Sequence, residues 1–162
     1  MVGQGRKRGG VISLLGTSLP EDLRFTAVGR YAREHYFTPM EILKLVVGRP
    51  LAIMQANIRH RSQIVPYLRA FVDSKAPGLI LAISESVQKD FGLCVEEATY
   101  FAARMIDELN HSEMSRGIEK KVAFLFDHSL DYDAAERALQ AGVSGIMYDP
   151  VSYTHLRAHE TG

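Results

Sequence analysis

The feature of this sequence that most constrains its fold is an alternation of short apolar segments with longer amphipathic ones. Short runs rich in Val, Ile, Leu and Phe, each ending in a polar residue, predict four strands at 51–57, 78–84, 122–127 and 145–149. Between them, apolar residues at helical spacing predict helices at 61–74, 95–109 and 133–141. Because strands and helices alternate through short connections, we expect parallel strands joined by right-handed crossovers. The pattern predicts an α/β fold with about four parallel strands.

The chain before the first predicted strand divides at Thr38. Residues 1–38 are basic and Gly-rich at first, which predicts an N-terminal extension that is partly disordered or forms a short helix. A strong helix start follows, because Thr38 can cap, Pro39 suits the first helical position and Glu41 completes a capping box. We expect this helix to end at Gly48.

Composition and charge argue against several classes of partner. The chain has 19 basic and 19 acidic residues, so its net charge gives no reason to expect binding to nucleic acid or to an anionic membrane. No apolar run approaches the roughly 20 residues that span a bilayer. Cys94 is the only cysteine, which excludes an internal disulfide and a multi-cysteine metal site. We expect Cys94 to be an inert core residue, and we expect a cytoplasmic protein.

The polar residues that end the four predicted strands are the best candidates for a functional site. They are Asn57, Ser84, Asp127 and Asp149. In a β/α barrel the carboxyl ends of the strands form the active-site rim. Asp127 is followed by His128, and an Asp can move a proton while a neutral His can hold a metal ion. The alternative for this pair is a helix-capping Asp beside a surface His.

The order of these motifs resembles that of the class II, metal-dependent fructose-bisphosphate and tagatose-bisphosphate aldolases. The resemblance extends from Met40 to Asp149 and rests on the strand ending in Asn57, the strand ending in Ser84-Glu85, Phe126-Asp127-His128, and Ser144-Gly145-Ile146-Met147-Tyr148-Asp149. It implies a (β/α)8 TIM barrel, of which residues 39–150 would be the N-terminal half. It also implies cleavage of fructose 1,6-bisphosphate or tagatose 1,6-bisphosphate to dihydroxyacetone phosphate and glyceraldehyde 3-phosphate.

The resemblance implies a role for each rim residue. Asp127 matches the catalytic acid/base that takes the C4 hydroxyl proton, and His128 matches a ligand of Zn²⁺ or another divalent cation. Asn57 and Ser84 match positions that bind the phosphorylated ketose. Asp149 matches a carboxylate near the metal. The remaining ligands, a Glu and two further His, would lie beyond the sequence, and the parent enzyme would be a homodimer or homotetramer.

Two other interpretations stay open. The first is a non-catalytic aldolase-like barrel that acts as a subunit of an active enzyme. The second is another metal-dependent barrel enzyme that binds a phosphosugar. Ser129 stands where the family commonly has Gly or Cys, and Gln55-Ala56-Asn57 stands where it has Ala-Phe-Asn, which leaves the identity of the sugar open.

Residues 151–162 resemble a translated sequencing adapter, and we expect them to be non-native. We therefore assign no function to His155, Arg157 or His159. We expect the natural part of this sequence to extend only as far as Asp149. Half a barrel would leave its first and last strands as open edges, and its inner side chains would face water.

The 162-residue chain is expected to bind no zinc tightly and to show no aldolase activity. Catalytic zinc takes three protein ligands, and the implied set contributes one histidine, His128, from this sequence. Isothermal titration with Zn²⁺ checks this expectation, and stoichiometric sub-micromolar binding that is lost in His128→Ala would contradict it.

Overall fold

The computed structural model describes residues 13–14, 17–18, 25–74, 76–112, 121–129 and 131–148. Its strands are β1 (Ser13–Leu14), β2 (Thr17–Ser18), β3 (Met54–Asn57), β4 (Leu79–Ser84), β5 (Val122–Ser129) and β6 (Gly145–Tyr148). Its helices are α1 (Ala27–Glu34), α2 (Pro39–Lys44), α3 (Ile64–Ser74), α4 (Glu85–Phe91), α5 (Val95–His111) and α6 (Tyr132–Gln140). A 3₁₀ turn, Arg61–Gln63, leads into α3.

The main sheet has four parallel strands in the order β3-β4-β5-β6, and β1 and β2 form a separate antiparallel pair. Neighbours in the main sheet are also neighbours in sequence, and helices connect them. The sequence-based prediction of an α/β fold with about four parallel strands is thereby confirmed, and the topology is consistent with half of a TIM barrel.

The outer face of the sheet carries the larger of two hydrophobic clusters. On β4 this face presents Leu81 and Ile83, and on β5 it presents Phe124 and Phe126; all four are almost completely buried. Leu68 of α3 belongs to the same cluster, as do residues of α5 and α6. Removing these apolar surfaces from water is the main favourable term holding the helices to the sheet.

Helix α2 covers the inner face of β4 and β5 towards their amino ends, which corrects for these two strands the expectation that inner side chains would face water; Gln55 and Asn57 on β3 are exposed, as that expectation has it. A second cluster joins Ile42 of α2 to four buried inner-face residues, Ile80, Ala82, Ala123 and Leu125. The helix lies close to the amino ends of the strands. A Cβ atom on Gly78 would stand 2.8 Å from Ile42 Cγ2, and one on Gly145 would stand 2.6 Å from Pro39 Cγ. Glycines at these two positions therefore give α2 the space to approach.

A capping box fixes the start of α2, as the sequence predicts. The Thr38 hydroxyl accepts a hydrogen bond from the Glu41 backbone N–H, and a Glu41 carboxylate oxygen accepts one from the Thr38 backbone N–H at 2.8 Å. The backbone N–H of Phe37 donates to the carbonyl oxygen of Val122 at 2.9 Å. These bonds fix the start of the helix at the amino end of β5, next to the place where the apolar face of the helix contacts the sheet. The helix ends at Lys44 and continues as turns to Gly48.

Helix α1 is attached to the outside of the sheet layer. Its N-cap residue, Thr26, donates a backbone hydrogen bond to the carbonyl oxygen of Gln140 at 3.2 Å. A Cβ atom on Gly29 would stand 1.9 Å from that same oxygen, so a residue with a side chain would push the two helices apart. The short helix anticipated within residues 1–38 therefore packs against the end of α6. Residues 1–12 and 19–24 lie outside the described residues.

Three features differ from the expectations. Helix α4 has no counterpart among the predicted elements, and β5 continues to Ser129 where the sequence predicted an end at Asp127. Cys94 is exposed at the N-cap of α5, so the prediction that it is a core residue is wrong. Within the described ranges, no helix combines the length and the apolar character that crossing a membrane would require.

Replacing Ile42 by alanine should destabilise the protein strongly. Ile42 is fully buried, and its removal opens a cavity between α2 and the inner face, which costs about 2–5 kcal/mol of unfolding free energy. Leu43→Ala, one residue along the same helix and 45% exposed in the wild type, is the matched control and should cost less than about 1 kcal/mol. Urea unfolding followed by circular dichroism measures both. Equal losses would show that the burial of Ile42 is not what holds α2 in place.

Candidate active site

Three of the predicted site residues meet at the carboxyl ends of neighbouring strands. Asn57 on β3 pairs with Ala82 on β4, and Ser84 on β4 pairs with Asp127 on β5. Paired residues project to the same side of a sheet, so Asn57, Ser84 and Asp127 share the inner face. They line a cleft with a volume of about 290 Å³, whose other polar lining side chains are those of Arg59, Ser86 and Asp90.

The Asp127 carboxylate lies at the point where the buried apolar part of β5 ends and the cleft begins. The five residues before it are buried, and its own side chain is 14% exposed. One carboxylate oxygen, Oδ2, accepts a hydrogen bond from Gln55 Nε2 at 3.2 Å. The other, Oδ1, is buried and has no hydrogen-bond partner among the described residues. A buried carboxylate oxygen without a donor is costly, and a proton or a cation would satisfy it.

His128 lies beside Asp127 because the backbone changes course there. Its φ of 98° is in the left-handed region, and the pairing of β5 with β6 shifts register between Phe126 and Ser129. A bulge of this kind re-aims side chains, since neighbours on a regular strand point to opposite faces. His128 Nε2 lies 3.4 Å from Asp127 Oδ1, although the imidazole is 56% exposed and does not line the cleft. The sequence indicated that both residues could serve one site only if the strand ended; instead the strand bulges.

Gln55 is a site residue that the sequence did not single out as functional. It lies two residues before Asn57 and so shares the inner face of β3. Its Nε2 donates both to Asn57 Oδ1 at 3.3 Å and to Asp127 Oδ2 at 3.2 Å. The sequence showed Gln55 as a departure from the family pattern. The bond to Asp127, 72 positions away, depends on the register of three strands, which a single sequence does not specify.

The residues present fit part of a metal centre. His128 Nε2 is a nitrogen of the kind that divalent transition metals bind, and the Asp127 carboxylate 3.4 Å away would place a negative charge beside such an ion. Within residues 25–74, 76–112, 121–129 and 131–148, no group of three or more His, Cys, Asp or Glu side chains could hold a metal ion. Asp149, the further carboxylate that the sequence indicated, lies outside the described residues.

Comparison with known proteins identifies one family. The family model described as fructose-bisphosphate aldolase class-II matches residues 38–157, about three quarters of the chain. The match begins at the N-cap of α2 and includes all the strand-end residues discussed above. It also overlaps the segment that we predict to be non-native, and that origin stays a prediction. No curated protein sequence gave a significant match.

The left-handed backbone at His128 should be measurable as strain. His128→Gly and His128→Ala both remove the imidazole, but only glycine adopts this φ freely, so the glycine variant should be more stable by about 1 kcal/mol. The same pair of substitutions at Arg69, an exposed helical residue, is the control and should show the opposite order by about 1 kcal/mol. Urea unfolding measures the difference within each pair. An alanine variant at 128 that equals or exceeds the glycine variant would contradict the strain.

Proposed function

The chain belongs to the class II fructose-bisphosphate aldolase family, and we propose that it forms the first half of the barrel of a metal-dependent ketose-bisphosphate aldolase. The substrate would be fructose 1,6-bisphosphate or tagatose 1,6-bisphosphate. The products would be dihydroxyacetone phosphate and glyceraldehyde 3-phosphate. The observation that carries the proposal concerns the buried Oδ1 of Asp127, a cleft residue: this oxygen has no hydrogen bond among the described residues and lies 3.4 Å from His128 Nε2.

The cleavage step makes two chemical demands. Breaking the C3–C4 bond leaves negative charge on the three carbons that become dihydroxyacetone phosphate. A bound divalent cation supplies Lewis-acid stabilisation of that charge, and Zn²⁺ is the cation that we propose. The hydroxyl proton on C4 must leave as that carbon becomes the aldehyde carbonyl, so a general base must lie within hydrogen-bond reach of it.

Asp127 is the residue that we propose as this base. Among the described residues its Oδ1 has no hydrogen-bond donor and is therefore available to accept the C4 hydroxyl proton, while Oδ2 accepts a hydrogen bond from Gln55. In the direction of synthesis the same oxygen returns the proton to the aldehyde oxygen. His128 would hold the cation on the adjacent side, and Asp149 would contribute a carboxylate near it.

Substrate binding is proposed for the side chains that line the cleft. The Asn57 carboxamide and the Ser84 hydroxyl can both donate and accept hydrogen bonds, which suits the hydroxyl groups of a sugar. Arg59 brings a positive charge to the same cleft, and a phosphate group is the substrate feature that an arginine recognises best. These contacts would orient the ketose so that its C4 hydroxyl meets Asp127.

The complete activity is proposed for the parent protein, in the cytoplasm and as a homodimer or homotetramer. Catalytic zinc takes three protein ligands, and His128 supplies one. We propose that a Glu and two His complete the ligand set, and that they and the phosphate-binding loops lie in the part of the parent protein that follows β6. Residues 39–150 would accordingly be one half of a barrel whose active-site rim is completed by the other half.

Replacing Asp127 by asparagine in the full-length parent enzyme should reduce cleavage of the ketose bisphosphate by about 10²–10⁴-fold, because the amide cannot take the proton. The assay couples the release of dihydroxyacetone phosphate to the oxidation of a nicotinamide cofactor, with Zn²⁺ present. Asp73→Asn, on the exposed surface of α3, is the control and should leave the rate unchanged. Wild-type enzyme that cleaves neither bisphosphate would favour the non-catalytic subunit. An Asp127→Asn variant with full activity would exclude Asp127 as the base.

A further inference from the structure

We propose that Gln55 is a positioning residue that holds the Asp127 carboxylate and the Asn57 carboxamide in one fixed arrangement. The inference rests on the proposed function, since it concerns the base of the cleavage step. Gln55 itself would touch no reacting atom. Its role would be to fix the plane of the Asp127 carboxylate, so that one oxygen faces the substrate while the protein engages the other.

The geometry that supports this role spans three strands. Gln55 and Asn57 are on β3, Asp127 is on β5, and β4 lies between them. At the level of Asn57, the inner-face residue of β4 is Ala82, whose methyl group leaves room for a longer side chain to cross. Gln55 therefore connects β3, at the edge of the sheet, to Asp127 on β5 across the strand between them.

The chemistry of the contact requires a primary amide nitrogen. Asp127 Oδ2 and Asn57 Oδ1 are both acceptors, and a glutamine NH₂ group has two hydrogens, one for each. The result is that Asp127 Oδ2 is held at 3.2 Å while Oδ1 keeps no donor. Without the amide, the carboxylate plane could rotate about its χ2 bond, and no oxygen would be held towards the substrate.

Other side chains at position 55 would fail for identifiable reasons. Glutamate has no hydrogen to donate and would set a second negative charge against Asp127. Leucine and methionine fill similar space but offer no donor. Asparagine is one methylene shorter, which is too short for contacts that already measure 3.2 and 3.3 Å.

The test compares two reactions of the full-length parent enzyme. One is cleavage of the ketose bisphosphate, which needs a base at the C4 hydroxyl. The other is exchange of the carbon-bound proton of dihydroxyacetone phosphate with solvent deuterium, followed by NMR. That exchange needs the cation and a base for the carbon, but it needs no base for a C4 hydroxyl because dihydroxyacetone phosphate has none. A positioning role for Gln55 should therefore affect only the first reaction.

In Gln55→Met, the kcat for cleavage should fall by about 10²-fold, while KM changes by far less, through the released Asn57 side chain, and the exchange rate is retained. Gln55→Glu, nearly the same size but without a donor, should lose at least as much. Met54→Leu, at the neighbouring exposed position of β3, is the control and should match wild type in both reactions. Gln55→Leu provides a second donor-free variant in case Gln55→Met does not fold.

Each outcome decides the proposal. Loss of cleavage with retained exchange supports it. Cleavage within about threefold of wild type in Gln55→Met overturns it while leaving the proposed function intact. Equal loss of both reactions, or failure of both donor-free variants to fold, makes Gln55 a structural residue and also overturns it. Wild-type enzyme without cleavage overturns the proposed function and this inference together.

Discussion

The packing of Ile42 against the inner face of the sheet is the interaction on which the rest of the described structure depends. A parallel sheet has two apolar faces, and both must leave water if the strands are to be as apolar as β4 and β5 are. The connecting helices cover the outer face, but nothing in a β/α repeat covers the inner one. Here α2, placed before the first strand of the main sheet, takes that position. In the part of the chain that the structure describes, the two central strands, β4 and β5, thus have apolar residues packed on both of their faces.

The position of α2 also determines which end of the sheet is free for chemistry. The helix lies against the amino ends of the strands, where Gly78 and Gly145 admit it. The candidate cleft lies at the carboxyl ends, and there the inner-face side chains change from apolar to polar: Ala82 to Ser84 on β4, and Leu125 to Asp127 on β5. The residues that pack against α2 and the residues of the candidate site thereby lie towards opposite ends of the strands, a division that is also found in complete β/α barrels.

How far the sequence predicted this structure depends on whether each signal is local. The capping box at Thr38 and the apolar run 122–126 are local signals, and the structure confirms both. The bulge at His128 and the contact of Gln55 with Asp127 arise from strand register and backbone course, which side-chain pattern alone does not encode. Burial of the inner face was missed for a related reason, because a helix start shows where α2 begins but not which surface it meets.

The two carboxylate oxygens of Asp127 have unlike surroundings: Oδ2 lies next to Gln55 and Oδ1 next to His128. Gln55 holds one oxygen through a directional hydrogen bond from the open-edge side of the sheet. His128, raised beside the other oxygen by a strained backbone, approaches from the β6 side. In the proposed function Oδ1 is the oxygen that takes the proton, and the hydrogen bond from Gln55 to Oδ2 keeps Oδ1 on the side of His128. The Asp127 side chain is largely buried at the end of an apolar strand. The Gln55 amide and the His128 imidazole lie on opposite sides of its carboxylate and so define the orientation of that group.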